Sequence, residues 1–379
     1  MTVKILIGAD ICPTSTNYDL FAQADLQALV GEELSSLLKS ADYTIFNLET
    51  PLVDHISPIN KVGPLVAAPT RTIPGLKSIN SHFFTLANNH ILDQGVQGLK
   101  STEHVLKQAG ISYAGVGDNS DQASQPYRVV IKGVKLGIYC CAEHEFSIAT
   151  SHTPGANAYD PLVSFDAVRE LKKQCDFVVV LYHGGREHYC YPSPQLQRVL
   201  RKFAQCGADV VLAQHTHCIG CAEDYRGSKL IYGQGNFLFD RSESEYWQTN
   251  LLVELTCQGK ELSVNYIPCV KHGNGVRLAK EPQAQQILAD FETRSKQIQE
   301  PGFVEQQYRL LARDLLNSYL RSCSGWFGYT FLARVFNKLS KHHLFEWFYS
   351  QRGLLRVKNV LTCEAHREAF LQAIKEKIK

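Results

Sequence analysis

Three short apolar runs, each of which stops abruptly at polar or small residues, constrain the fold more than any other feature of the sequence. The runs cover residues 177–182, 208–213 and 230–232, and they end at His183-Gly184-Gly185, at Gln214-His215-Thr216-His217 and at Gly233-Gln234-Gly235-Asn236. Between the first two runs, residues 195–206 carry apolar side chains at helical spacing. Strands that alternate with helices are typical of layered α/β proteins, whose sites lie after the carboxyl ends of the strands.

The same alternation extends through the first 278 residues. We predict strands at 3–8, 42–47 and 82–87, strand pairs at 126–141 and 246–270, and helices at 24–40, 93–108 and 163–174. The two pairs have turn residues at Lys132-Gly133 and at Gln258-Gly259-Lys260, so they should continue a sheet in antiparallel fashion. The pattern predicts a layered α/β fold for residues 1–278.

The character of the sequence changes after residue 280, where strand signals vanish. We predict helices at 283–298, 303–321, 328–339, 341–350 and 364–378, and we assign residues 279–379 to an α-helical C-terminal extension. Its middle part, from Arg321 to Lys358, is basic and rich in aromatic residues. It could dock on a partner protein or an anionic membrane. Alternatively, its aromatic rings pack within a helical subdomain, which we expect because exposed aromatic surface is unfavourable.

Composition excludes several classes of protein and partner. The net charge of +2 gives no reason to expect a nucleic-acid partner. No run approaches the roughly 20 apolar residues of a membrane span, so we predict no transmembrane segment. The N-terminal strand is too short for a signal peptide, and most of the 12 cysteines lie inside apolar runs. We therefore predict a cytoplasmic protein with reduced thiols, and leave membrane association open.

Polar residues that can bind a metal or take part in catalysis follow most of the predicted strands. They are Asp10, Asn47, Glu49, Asn88, Asn89, His90, His183, His215 and His217. Neutral imidazole and carboxylate ligands together suit manganese, zinc or iron rather than calcium. Two ions that share a carboxylate can hold both the attacking and the leaving oxygen of a displacement. The sequence therefore predicts one or two divalent transition-metal ions at the strand ends.

The motifs resemble those of the CapA family of bacterial capsule-synthesis and poly-γ-glutamate-synthesis proteins. The resemblance is carried by Gly8-Ala9-Asp10, Asn47-Leu48-Glu49-Thr50-Pro51-Leu52, Asn88-Asn89-His90, His183-Gly184-Gly185, His215-Thr216-His217 and Gly235-Asn236-Phe237. It covers residues 3–245 and does not include the helical extension. It implies a variant of the calcineurin-like metallophosphoesterase fold, which is a β-sandwich flanked by helices.

The resemblance also implies a role for each residue of the site. The metal ligands would be Asp10, Glu49, Asn89, His183, His215 and His217. The catalytic residues would be His90, as general acid or phosphate binder, and Asp93. The substrate-binding residues would be Asn47, Asn88, Glu187 and Asn236. The number of ions stays open, because Cys12 stands where the wider superfamily has a first-motif histidine.

Two functions are consistent with these residues. The first is a metal-dependent hydrolase of the phosphoesterase type, linked to capsule or poly-γ-glutamate synthesis, with an anionic small molecule or polymer as substrate. A hydroxide bound to the metal of this hydrolase could attack a phosphoester or a γ-glutamyl amide. The second is a non-hydrolytic, metal-binding component of a polymer synthesis or export machine, which would dock on membrane-bound capsule or polymer synthesis proteins. We expect the first.

Overall fold

The computed structural model of the chain describes residues 2–240 and 243–378. It contains two compact units, of which the first ends at Val304 and the second begins at Glu305. All described strands belong to the first unit, and the described part of the second unit is helical.

The bounds of the elements in the first unit are as follows. The strands are β1 (Thr2–Ile11), β2 (Tyr43–Leu48), β3 (Phe83–Thr85), β4 (Ser112–Ala114), β5 (Val116–Gly117), β6 (Tyr127–Ile131), β7 (Val134–Ala142), β8 (Gly155–Ala156), β9 (Phe177–His183), β10 (Val210–Gln214), β11 (Ala222–Tyr225), β12 (Ser228–Tyr232), β13 (Asn236–Leu238), β14 (Thr249–Gln258), β15 (Glu261–His272) and β16 (Gly275–Leu278). The helices are α1 (Tyr18–Ala22), α2 (Leu26–Leu29), α3 (Gly31–Ser40), α4 (Ile73–Ser78), α5 (Gly95–Ala109), α6 (Ser120–Ala123), α7 (Ser164–Lys172), α8 (Pro194–Gln205) and α9 (Gln283–Gln297).

The strands form two large sheets and a small pair of β5 with β8. The first sheet has the order β16-β15-β14-β1-β2-β3-β4, with β13 also paired to β1. The second has the order β11-β12-β10-β9-β7-β6. The strands β1 to β4 are parallel, as are β7, β9, β10 and β12, whereas the hairpins β6-β7 and β14-β15 run antiparallel. Both predicted hairpins are therefore confirmed.

The two sheets pack face to face, and helices cover their outer faces. Successive side chains of β9 point to opposite faces of its sheet. Val179 and Leu181 lie in a core that also contains Ile5 and Ile7 of the first sheet. The residues between them point the other way, into a core with the apolar side chains of α7 and α8. A third core joins the first sheet to α3, α4 and α5. This sandwich flanked by helices confirms the predicted layered α/β class and the architecture that the resemblance implied.

The predicted helix 24–40 is wrong in one respect, because α2 and α3 are separate helices. Gly31, the first residue of α3, has a positive φ of 69°. The space beside it is filled by Arg277, whose side chain a Cβ on Gly31 would meet at 2.7 Å. The apolar spacing continues across this break, so periodicity alone could not reveal it.

Helix α9 is part of the first unit, although the sequence placed it in the C-terminal extension. Ile287 and Phe291 of this helix lie in the core between the sheets, and Ile298 and Val304 lie in the core beneath α7 and α8. The predicted boundary at residue 278 marks the end of the last strand, whereas contacts group the chain up to Val304. As a division into functional domains, residues 1–278 and 279–379 stay a prediction.

The second unit contains helices around a small core. They are α10 (Phe303–Cys323, which begins in the first unit), α11 (Gly325–Gly328), α12 (Phe331–Leu339), α13 (Leu344–Phe348), α14 (Gln351–Thr362) and α15 (Glu364–Lys377). The core consists of Leu320, Ala333 and Phe345. The sequence did not predict α14, whose described residues include none that is buried. Among the described residues, no helix has both the length and the apolar composition that crossing a membrane requires.

Candidate metal centre

The carboxyl ends of the central strands of both sheets meet at one edge, and this brings the predicted site residues together. Asp10 near the end of β1 lies opposite Asn47 of β2, and Glu49 follows β2 directly. His183 is the last residue of β9 in the other sheet. Its Nε2 atom lies 3.5 Å from Oε1 of Glu49, so the site spans the gap between the sheets.

Glu49 is the centre of this cluster. Its side chain is fully buried, and neither of its carboxylate oxygens has a hydrogen-bond donor among the described residues. Ligand atoms of Glu49, His215 and His217 all lie within 4.8 Å of one another. Because a buried carboxylate without donors is costly, this arrangement fits a cation held between the carboxylate and the imidazoles.

The remaining predicted ligands lie on either side of Glu49. On one side, Nε2 of His183 is 3.0 Å from Oδ1 of Asn89 and 3.1 Å from Nδ1 of His215. On the other side, Oδ2 of Asp10 is 3.7 Å from Nδ1 of His217. His183, Asn89 and His215 thus lie close together and Asp10 lies near His217, while Glu49 is within reach of both His215 and His217.

Burial sets the electrostatics of the centre. It raises the pKa of Glu49 well above its usual range, with a further contribution from the nearby Asp10, and it raises the pKa of Asp10 to about 6 against the hydrogen bond from Asn47. Burial also lowers the pKa of His215 to about 4 and that of His217 to about 3. The imidazoles are therefore neutral at physiological pH, which is the form that binds metal. A cation would supply a positive charge that stabilises the ionised form of the buried carboxylates.

The loop after β10 presents two imidazoles to the same region because its backbone is strained. His215 has φ 89° and His217 has φ 53°, both in the region that residues with a Cβ rarely adopt. Their ring centroids lie 5.9 Å apart. Strain of this kind in two neighbouring histidines is typical of a functional site, because the surrounding structure must hold it in place.

Three of the predicted substrate-binding residues are buried behind the ligands. The side-chain amide of Asn47 donates to Oδ1 of Asp10 at 2.8 Å, and that of Asn88 donates to Oδ1 of Asn47 at 3.1 Å. Oδ1 of Asn236 accepts a hydrogen bond of 2.8 Å from Nδ1 of His217. These contacts orient the ligands. Their role in substrate binding stays a prediction, as does that of the exposed Glu187.

His90 and Asp93 form a buried pair beside the metal ligands. Nδ1 of His90 lies 2.7 Å from Oδ2 of Asp93, which also accepts from the backbone N–H of Val66 at 2.8 Å. A carboxylate at this position holds the proton on Nδ1 and leaves Nε2 for another partner. His90 has the partner that a general acid needs.

Lys61 is a site residue that the sequence did not reveal. Its side chain is almost fully buried, forms an ion pair with Oδ1 of Asp93, and places Nζ 3.3 Å from Nδ1 of His90. The ammonium group also lies 5.2 Å from the centre of the Phe146 ring. Lys61 belongs to the irregular stretch between β2 and α4, where no periodic pattern or strand end marks a residue as functional.

A second group missed by the sequence surrounds the ligands. Oε2 of Glu145 accepts from the amide of Asn89 at 2.8 Å, which turns Oδ1 of Asn89 toward His183. Trp247 packs against His217 with the ring centroids 4.9 Å apart.

Cys12 is buried against Trp247, and it is not part of the described group formed by Glu49, His215 and His217.

Several known proteins resemble parts of this chain. The capsule biosynthesis protein CapA of Bacillus anthracis is 28% identical over 221 residues, which cover 56% of this chain and 54% of that protein. The PGA biosynthesis protein CapA of Bacillus subtilis is 29% identical over 211 residues, which cover 54% and 55% respectively. A Mycobacterium tuberculosis protein described as a "Probable polyglutamine synthesis accessory protein" is 28% identical over 224 residues, or 55% and 59%. The chain thus matches little more than half the length of these relatives.

Solved structures resemble the fold more distantly. A phosphatase from Mycoplasma pneumoniae is 14% identical with a TM-score of 0.45, and the match covers 76% of this chain and 97% of that chain. A 5'-nucleotidase precursor from Thermus thermophilus is 16% identical with a TM-score of 0.43, covering 77% and 59%. Neither similarity carries a conclusion about the activity of this chain.

A family model decides the relationship. The model of the bacterial capsule synthesis protein PGA_cap matches residues 4–241, which include all the predicted site residues. The match extends over more than half of the 379 residues and coincides with the region of the CapA resemblance. The chain belongs to the bacterial capsule synthesis protein PGA_cap family.

Proposed function

We propose that this protein is a metal-dependent hydrolase of the phosphoesterase type that acts in the synthesis of a capsule or poly-γ-glutamate polymer. The observation that carries the proposal is Glu49, a fully buried carboxylate without hydrogen-bond donors among the described residues, placed within reach of His215 and His217. A structural carboxylate would be expected to have donors. The relatives named for capsule biosynthesis and for PGA biosynthesis support the biological setting.

The donor set determines what a bound ion would do. Asp10, Glu49 and His217 would hold one manganese, zinc or iron ion, while Asn89 and His183 would complete a second site with Glu49 and His215. A bound ion would polarise a phosphoryl oxygen and lower the pKa of a bound water, so that hydroxide forms more readily. The surrounding protein keeps the ligands in position, since Asn47, Asn236 and Glu145 each hydrogen-bond one of them.

His90 is the residue that we assign to proton transfer. With Nδ1 paired to Asp93, a His90 that is protonated on both nitrogens would donate the Nε2 proton to the leaving oxygen. Lys61 pairs with the same carboxylate and so fixes Asp93 beneath the imidazole. The substrate that we favour is a phosphoester, whose anionic phosphate group would lie at the metal ions. A γ-glutamyl amide is the second candidate.

Replacing His90 by asparagine tests this assignment. We expect His90→Asn to keep its metal and to lower kcat by about 10²–10⁴-fold, because a general acid contributes that much to the rate. The loss should be larger for an alkyl phosphate than for p-nitrophenyl phosphate, whose leaving group needs no proton. The measurement is metal content together with rates on the phosphate esters found in a phosphatase screen.

The exposed His104 of α5 offers a matched control. His104→Asn should leave both metal content and rate unchanged. If His90→Asn instead loses its metal, His90 is a ligand or a structural residue, and the proposed role as an acid is wrong.

A non-hydrolytic role is the alternative, and Cys12 favours it. The histidine that the resemblance leads one to expect in the first motif is absent, and Cys12 is packed against Trp247. In that case the metal centre would bind the anionic polymer, and the protein would act as an accessory to polymer synthesis proteins. Metal binding without hydrolysis of any phosphoester or γ-glutamyl amide in the screen, combined with binding of polyglutamate, would support this alternative.

A further inference from the structure

Helix α12 in the second unit is turned so that its apolar face is exposed. Its buried residues are Ala333 and Asn337, and Asn337 is only 8% exposed. Its exposed large apolar side chains are Phe331, Leu332, Val335, Phe336 and Leu339. At 3.6 residues per turn, these five side chains occupy an arc of about 140° on the helix. A surface helix of a globular protein normally turns such an arc toward the core.

Specific hydrogen bonds hold the helix in this orientation. The amide of Asn337 contacts Nδ1 of His342 at 3.3 Å, and its Oδ1 accepts from Nδ2 of Asn317 at 3.2 Å. At the start of the helix, Oγ1 of Thr330 accepts from the backbone N–H of Ala333 at 3.1 Å, which caps the helix but does not fix its rotation. Rotating α12 to bury its apolar arc would break both contacts of Asn337, so the exposure follows from the packing of this unit.

The next two helices also carry exposed apolar side chains. Trp347 and Phe348 of α13 and Leu355 of α14 are all more than 60% exposed. Phe345, by contrast, is fully buried in the small core of this unit. The expectation that the aromatic residues pack inside a helical subdomain therefore holds for Phe345 but not for the rings on the exposed surface.

This region also carries a large excess of positive charge. Between Arg321 and Lys358 the sequence contains seven lysine and arginine residues and a single acidic residue, Glu346. Arg334 and Lys338 are exposed on α12 itself and flank the apolar arc on one side. The whole chain has a net charge of only +2, so the positive charge is concentrated here.

We propose that the exposed apolar arc of α12 docks on an anionic lipid bilayer, with Arg334 and Lys338 at the level of the lipid headgroups. An apolar arc of phenylalanine and leucine beside lysine and arginine is what an interfacial helix needs, since the arc enters the boundary of the acyl chains and the cations attract anionic lipid. The helix lies on the bilayer and does not cross it. This inference is independent of the proposed hydrolase activity and concerns where the protein works.

Binding of the full chain to lipid vesicles tests the proposal. We expect the protein to sediment with phosphatidylcholine vesicles that contain about one quarter phosphatidylglycerol, and to bind pure phosphatidylcholine at least about tenfold more weakly. Raising the salt from about 0.1 M to about 0.5 M should release much of the bound protein, because salt screens the lysine and arginine charges.

Two double variants separate the apolar and the electrostatic contributions. Phe331→Ser with Phe336→Ser should weaken vesicle binding by about tenfold or more, because two large apolar side chains no longer leave water. Arg334→Glu with Lys338→Glu should weaken it by a similar factor on anionic vesicles only. Matched controls are Ile56→Ser with Leu162→Ser, and Lys39→Glu with Lys107→Glu, which change exposed residues of the first unit and should leave binding unchanged.

Three results would overturn the proposal. One is a full chain that binds neither kind of vesicle. Another is vesicle binding that the α12 variants and the control variants reduce equally. The third is a full chain that is dimeric by light scattering and becomes monomeric when Phe331 and Phe336 are replaced, since the apolar arc would then be covered by a second copy of the chain.

Discussion

Replacing Glu49 by glutamine will abolish metal binding and will also make the metal-free protein more stable. The carboxylate is fully buried, lacks hydrogen-bond donors among the described residues, and has its pKa raised by burial and by the neighbouring Asp10. Glutamine keeps the shape of the side chain, removes the repulsion, and offers an amide that Asp10 can accept from. We expect the free energy of unfolding to rise by about 1–2 kcal/mol without metal, as is common when a strained functional site is neutralised.

Thermal unfolding in the presence of a chelator and of manganese measures both effects. The natural protein should gain stability on addition of manganese, because an ion that binds only the folded state stabilises it. Glu49→Gln should start from a higher midpoint and gain nothing. The exposed Glu32 of α3 provides the control, since Glu32→Gln should change neither value. A Glu49→Gln protein that is less stable without metal, and that still responds to manganese, would contradict this account of the centre.

Removing α9 will destabilise the first unit far more than removing the helices after it. Ile287 and Phe291 of α9 fill the core between the two sheets, so a chain that ends at Leu278 leaves their places empty. Deleting even one large buried side chain costs about 3–5 kcal/mol, and here two are lost together. We therefore expect a chain of residues 1–278 to aggregate or to unfold at a clearly lower temperature than the full chain.

A chain that ends at Val304 is the matched comparison. It keeps α9 together with Ile298 and Val304, which lie in the core beneath α7 and α8. We expect it to bind metal as the full chain does, because every predicted ligand lies upstream. Circular dichroism with temperature and metal analysis of the two shortened chains provide the test. Equal midpoints for the two would show that the contacts of α9 contribute little to stability.

The sequence predicts the fold class and the grouping of polar residues at the strand ends, but it does not predict the bounds of several elements. The residue at which each apolar run ends can be read from the sequence, and the carboxyl ends of parallel strands meet at one edge of a sheet. Asp10, Glu49, His183, His215 and His217 could therefore be grouped without coordinates. The hairpins were predictable for a similar local reason, since their turn residues are explicit. What remained hidden depends on contacts between residues distant in the sequence.

Three misses illustrate this limit. The position of Lys61 beneath His90 depends on the path of an irregular segment, which no periodic pattern describes. The break before α3 arises where the side chain of Arg277, far along the chain, fills the space beside Gly31. The assignment of α9 depends on which core receives Ile287. The apolar spacing of an amphipathic helix shows which face is buried but not which surface that face packs against.

The position of a bound ion is the most direct test of the central claim. Crystals of the full chain grown with manganese, measured for anomalous scattering, would locate every bound ion. We expect one or two peaks between the strand ends, with an oxygen of Glu49 and the imidazoles of His215 and His217 about 2.0–2.3 Å from an ion. Full occupancy of manganese elsewhere, with no peak beside Glu49, would contradict the proposal that these residues form a metal centre.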